Sequence, residues 1–275
     1  MRAPLRDAAR RLAGGAALLA VLAAPAAADA PPADPAALLD EVWHNLYGAD
    51  SAQVLRLTSR SPQTRPVSRK LSIHRKYSAP PPRALIRFSE PPDIRGASLL
   101  VIEHPARDAD VFLYLPAFDR TKRITAAQRF DAFFGTNLTY EDLEPKRAAD
   151  FQVRALGTDR VGGLECLRLE LRPRPGVESQ YDRSVACVEA ARRVILWLDY
   201  EVKGRPHKRL EADAESIRLA SGRHLAFRSR VVSHAGGAET EIAIEAYEAG
   251  PELPDSLFTI PHLELGDEPA PGSGW

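Results

Sequence analysis

The sequence predicts a mainly β protein: one large, mostly antiparallel sheet with a single well-formed helix packed against it. Three observations carry this. Apolar residues alternate with polar ones through a dozen segments of the chain, as at Leu167, Leu169 and Leu171 against Arg168, Glu170 and Arg172. Turn residues (Gly, Pro, Asn, Asp) separate most of these segments by short intervals, which suits antiparallel neighbours better than crossovers. Only one stretch, near the N-terminus, has a long helical period.

Ahead of that helix, residues 1–28 form a basic start (Arg2, Arg6, Arg10, Arg11), an apolar run from Leu12 to Pro25, and Ala26-Ala27-Ala28 as a small-residue cleavage site. This is the pattern of a removable secretory signal, and the apolar run is short for a membrane span. Cleavage there takes four Arg and one Asp from 37 basic and 37 acidic residues, leaving 33 and 36, a formal charge of −3 over 247 residues. A slightly acidic chain excludes a nucleic-acid partner that depends on a basic surface. The chain is expected to be soluble and periplasmic, with no later stretch apolar enough to cross a bilayer. Residues 29–266 read as a single domain, and the Pro- and Gly-rich residues 267–275 as a flexible tail.

Asp34 followed by Pro35 reads as a helix cap and first turn, and Leu38, Leu39, Val42, Trp43 and Leu46 recur at helical spacing before Gly48. Period-two strands are expected at 54–58, 67–77, 83–89, 97–103 and 110–115. The prolines at 80–82 form a stiff connector. After Pro116 comes a basic turn with Arg120, Lys122 and Arg123, then an aromatic run with Phe130, Phe133 and Phe134 before Gly135. Strands resume at 151–157, 164–172, 185–189, 194–202, 206–213, 224–233 and 240–247. Cys166 and Cys187 lie nearly equidistant from a turn centred near Gly176, so a hairpin would set them opposite one another for a cross-strand disulfide.

No catalytic motif is visible: no H-E-x-x-H, no G-x-S-x-G, no P-loop, no cluster of His and Cys at metal spacing. The expectation is a protein that is not an enzyme and carries no cofactor or metal. Glu141 and Asp142 are adjacent, so on a strand they would face opposite ways and serve structure or a partner before acid–base chemistry. The dense aromatics are explained by core packing or by a ligand. Arg120, Lys122 and Arg123 are either a solvated turn or a site for an anionic head group.

The order Tyr114-Leu-Pro116, basic turn, Phe133-Phe134-Gly135, Tyr140-Glu-Asp-Leu143 resembles the LolA-like outer-membrane lipoprotein-sorting family. Phe88-Ser-Glu-Pro-Pro-Asp-Ile-Arg-Gly96 and Pro254-Asp-Ser-Leu-Phe258 are similar to further stretches of it, extending the resemblance over 36–265. Asn137 and Phe134 depart from it, standing where Asp and Met are common. The resemblance implies a strongly curved antiparallel sheet, an unclosed barrel, with helices over its open mouth. It implies a carrier or chaperone for a lipid or a lipoprotein acyl chain, served by an inner-membrane exporter of the resistance–nodulation–division type. An envelope sensor that relays ligand binding to a partner is the alternative, and a lipid hydrolase a third reading. On that resemblance, Trp43, Phe112, Tyr114, Phe133 and Phe134 are the candidate lining residues, and the 36–47 helix and the 126–143 segment the candidate lid.

Overall fold

The structure, a computed structural model, describes residues 34–104 and 107–265. The signal expected at 1–28 and the tail expected at 267–275 lie outside the described residues.

The N-terminal helix α1 spans Pro35–Tyr47, with the Asp34 carboxylate accepting from the Ala36 and Ala37 amides. Its stripe of Leu38, Leu39, Val42 and Trp43 is buried. Its other end is held by one side chain: the Arg223 guanidinium donates to the carbonyls of His44, Asn45 and Gly48 in the last turn and cap of the helix. Asn45 adds donors to the Arg193 and His224 carbonyls, and Asp40 accepts from the Ala148 amide.

The strands are β1 (Ser51–Ser61), β2 (Thr64–Lys76), β3 (Arg83–Glu90), β4 (Ser98–His104), β5 (Arg107–Leu115), β6 (Arg120–Arg123), β7 (Phe151–Val161), β8 (Leu164–Pro173), β9 (Arg183–Glu189), β10 (Val194–Val202), β11 (Arg205–Ala212), β12 (Ile217–Ala220), β13 (Arg223–Ala226), β14 (Arg228–Ser233) and β15 (Glu239–Ala249). Thirteen of them form one antiparallel sheet in the order β6-β5-β4-β3-β2-β1-β15-β14-β11-β10-β9-β8-β7. The first and last strands are not paired to one another, so the curved sheet is unclosed. The strand expected at 224–233 is two strands, broken at Phe227, and β13 pairs with β12 as a separate hairpin turned at Ser221-Gly222. The basic turn at 120–123 is the short edge strand β6.

Both faces of the sheet are covered. On the inner face, Leu57, Leu71, Ile86, Phe88, Leu99 and Val111 form a core with Phe133 and Tyr140 of the 124–143 segment. Farther along that face, Leu167, Leu169, Leu171, Ala186 and Val188 pack under α1. On the outer face, Leu85, Leu100 and Tyr114 lie under Leu253, Leu257, Phe258 and Leu263 of the C-terminal segment, which ends in α3 (Ile260–Glu264).

Cys166 and Cys187 form a disulfide on the outer face, their Cα atoms 5.4 Å apart, beside Leu196 and Trp197. The register corrects the expected pairing: Cys187 stands opposite Arg168, so the bridge is diagonal by two residues. The turn is centred later than Gly176 because β8 continues to Pro173 while β9 starts only at Arg183. A shift of two keeps both sulfurs on one face, and the disulfide survives it. It closes a loop of 21-residue separation. Its reduction is expected to destabilise the fold by on the order of 2–3 kcal/mol, read as a lower urea midpoint in reductant and matched by Cys166→Ala/Cys187→Ala without reductant.

Candidate functional site: an apolar cavity with a polar end

Between α1 and the inner face lies a cavity of about 240 Å³. Its walls come from α1 (Val42, Trp43, Leu46), from Leu171 of β8, from Ile195 and Leu198 of β10, from Leu210 of β11 and from Ile244 of β15. Strands far apart in the sheet order thus reach one space, which only a curved sheet allows. Alternation explains the selection: Leu198 and Tyr200 on β10, and Lys208 and Leu210 on β11, have the same parity and share the inner face.

One end of the cavity is polar. There the chain makes the one-turn helix α2 (Tyr140–Leu143), started by a capping box in which Thr139 and Asp142 satisfy one another. The Asp142 carboxylate also accepts from the Lys208 ammonium and from the Tyr181 hydroxyl at 2.8 Å. Both ions are withdrawn from water, with side chains 5% and 3% exposed. Lys208 donates further to the Asn137 carbonyl at 3.1 Å and lies 5.2 Å from the ring centres of both Tyr181 and Tyr200. Burial holds the Lys208 pKa below the usual lysine value, against the pull of Asp142. Burial pushes the tyrosine hydroxyls the other way: Tyr47, Tyr181 and Tyr200 all lie above the usual phenol value, so each is a neutral donor. Glu141 accepts from the Ser179 hydroxyl and the Gln180 amide, and its carbonyl accepts from Lys146 at 2.7 Å. Glu141 and Asp142, expected on opposite sides of a strand, are on helix α2, and both line the cavity.

Of the five aromatics expected to line a pocket, Trp43 lines this cavity. Phe133 is buried in the inner-face core, stacked among Phe88, Phe134 and Tyr140 with ring centres 5.2–5.7 Å apart. Phe134 packs on Phe88 at 4.5 Å, in the left-handed region with φ 47°, followed by Gly135 at φ 70°. That tight reversal lets two consecutive phenylalanines pack on the same strands. The 126–143 segment therefore fills its half of the inner face. Phe112 and Tyr114 lie on the outer face, under the C-terminal segment, because their parity on β5 is opposite to that of Val111 and Leu113. Tyr114 donates to Asp119 at 3.1 Å. Arg120, Lys122 and Arg123 are exposed on edge strand β6, with Arg123 bonded to Asp110. Asn137, where the resemblance departs, is bonded on two sides: Thr240 donates to its side-chain oxygen at 2.9 Å and accepts from its backbone amide at 2.9 Å. Among the described residues no helix is long and apolar enough to cross a membrane, and no group of three or more His, Cys, Asp or Glu is placed to hold a metal.

An unclosed antiparallel sheet wrapped around an apolar space under an N-terminal helix is a fold that this chain shares with several solved structures. The chain superposes on a putative outer membrane lipoprotein-sorting protein domain from Vibrio parahaemolyticus with TM-score 0.76 and 21% identity, covering 84% of this chain and 98% of that one. A DUF1329 family protein from Desulfovibrio piger gives TM-score 0.77 and 24% identity, with coverage of 84% and 99%. A LolA superfamily protein from Nitrosomonas europaea gives 0.65 and 15%, with coverage of 84% and 100%. A family profile described as "-like: Uncharacterized protein" matches residues 82–265, more than half of the chain, and the chain belongs to that family. No curated protein matches the sequence.

Proposed function

We propose that the protein is a carrier, without enzymatic activity, that shelters the apolar chain of a lipid or a lipidated protein as it crosses the cell envelope. The observation that carries this reading is the cavity of about 240 Å³ walled by aliphatic side chains between α1 and the sheet. Moving a methylene from water into such a space is worth about 0.8 kcal/mol, so an eight-carbon stretch gives roughly 6 kcal/mol. That is enough for retention in water and little enough for release to a receiver. Helix α1 forms one wall of the cavity, and its Arg223, Asn45 and Asp40 ties form the hinge at which the wall would open. The basic, then apolar, N-terminal segment supports export to the periplasm. The sequence resemblance supports an inner-membrane exporter of the resistance–nodulation–division type as donor, tested by its co-purification with the exported chain.

Uptake of an apolar fluorescent probe such as N-phenyl-1-naphthylamine tests the reading, and Leu198→Trp, which projects an indole into the cavity, is its control. Probe affinity is expected to fall about tenfold or more in the variant, a change of about 1.4 kcal/mol, with the thermal midpoint kept. Equal uptake by both proteins, or none by either, contradicts the assignment.

A further inference from the structure

The polar end of the cavity has unspent hydrogen-bonding capacity of one kind. The hydroxyls of Tyr47, Tyr200, Ser184 and Ser229 and the side-chain amide of Gln53 line the cavity, and none has a hydrogen-bond partner among the described residues. Tyr200 and Ser184 stand directly opposite one another on β10 and β9, so both hydroxyl side chains project from the same face of the sheet. These groups face the cavity, where an occupant reaches them, and a ligand that excludes water from this space fits best if it pairs with them.

The charges at the same end are already matched. Asp142 is held by Lys208, Thr139 and Tyr181, and Glu141 by Ser179 and Gln180, while Lys146 sits on the Glu141 carbonyl. Two carboxylates and two ammoniums balance there, and Arg193, the remaining cation on the lining, is paired with Glu41. A carboxylate or phosphate entering this end would meet both Asp142 and Glu141, while Lys208 is held by Asp142, Arg193 by Glu41, and Lys146, bonded to a carbonyl, is the one cation left to set against two acidic groups; burial of an incompletely paired charge is strongly unfavourable.

From this cluster of free neutral donors beside a balanced ion set, we infer that the ligand is an uncharged amphipath: one small neutral polar group, a hydroxyl, ester or amide, on an apolar body. The inference rests on the carrier reading and narrows it. The size agrees: a cavity of about 150 Å³ accepts benzene, so about 240 Å³ takes an object on the order of ten heavy atoms. The neutral group sits between Tyr200, Ser184 and Tyr47, and the apolar body runs past Leu198 and Leu210 toward Trp43.

The test is native mass spectrometry of the unmodified protein at pH 8 with 1-decanol, methyl decanoate and decanoate in parallel. Both neutral probes are expected to bind at least tenfold more tightly than decanoate. The gap should shrink as the pH falls toward the carboxylic acid range and decanoate becomes neutral. Tyr200→Phe, which removes a hydroxyl without changing the ring, is expected to weaken decanol about tenfold at an unchanged thermal midpoint. Decanoate binding as well as or better than decanol, or a Tyr200→Phe variant that binds decanol like the parent, overturns the inference while leaving a carrier. Failure of all three probes to bind overturns the carrier reading and this inference with it.

Discussion

Asp142→Ala is expected to destabilise the protein by about 3–5 kcal/mol, because it leaves the Lys208 ammonium in the interior with no counter-charge. The lost interactions link distant parts of the chain. Asp142 joins the start of α2 to β11 through Lys208 and to the strand connection at Tyr181. Its removal should lower the urea midpoint steeply and free the 131–143 segment to exchange its amides. Asp142→Leu with Lys208→Met removes both charges and is expected to recover most of the loss, since an apolar pair of similar size needs no counter-ion. A single variant as stable as the parent would show that the pair is not buried as described.

Lowering the pH from about 6.5 to about 4 is expected to remove roughly 3 kcal/mol of stability through His74 alone. His74 is on the outer face of β2, buried, with its Nδ1 lacking a hydrogen-bond partner among the described residues. Burial first, then the charges of Arg87 and His262, hold its pKa down to about 4 from an ordinary value of 6.5. The unfolded chain therefore binds the proton more readily than the folded one throughout this window. Stability is fully present above about 6.5 and falls as the pH drops to about 4, where the folded imidazole also protonates. The groups around it come from β3, which supplies Arg87, and from α3, which supplies His262; Arg87 also donates to the His262 carbonyl at 2.8 Å. Acid is thus expected to loosen the C-terminal segment from the outer face. Urea midpoints of the parent and His74→Leu across pH 4–7 test it: the parent should fall more steeply. Parallel curves would remove His74 as the cause.

How far the sequence discloses this architecture depends on the kind of residue. The helix from Pro35 is plain because cap, proline and apolar stripe agree, and the strict Leu/charged alternation at 167–172 marks both the strand and the face that meets α1. Phe112 and Tyr114 are ambiguous in the sequence for the opposite reason. Both faces of β5 are apolar, so alternation does not say which one looks inward, and the covering segment comes from more than 130 residues later in the chain. Phe133 and Phe134 are conspicuous as a ligand-lining pair, but the left-handed step at Phe134-Gly135 turns them onto Phe88 as core. The polar end of the cavity is inconspicuous in the sequence because Lys208 looks like one more charge in Pro206-His-Lys-Arg-Leu210. The available signal was parity: Lys208 shares a face with Leu210, and a lysine on an apolar face calls for a buried partner. That this partner is Asp142, on a helix 66 residues away, is a property of the folded chain.

The carrier assignment stands most directly on what the cavity holds. The full chain, exported by its own N-terminal segment and purified without detergent, can be weighed by native mass spectrometry before and after organic extraction. The expected result is an additional discrete mass, about one lipid per chain, lost on extraction and absent from Leu198→Trp. A single unliganded mass that takes up no added lipid would contradict the account and leave the space under α1 as a packing defect of an interaction domain.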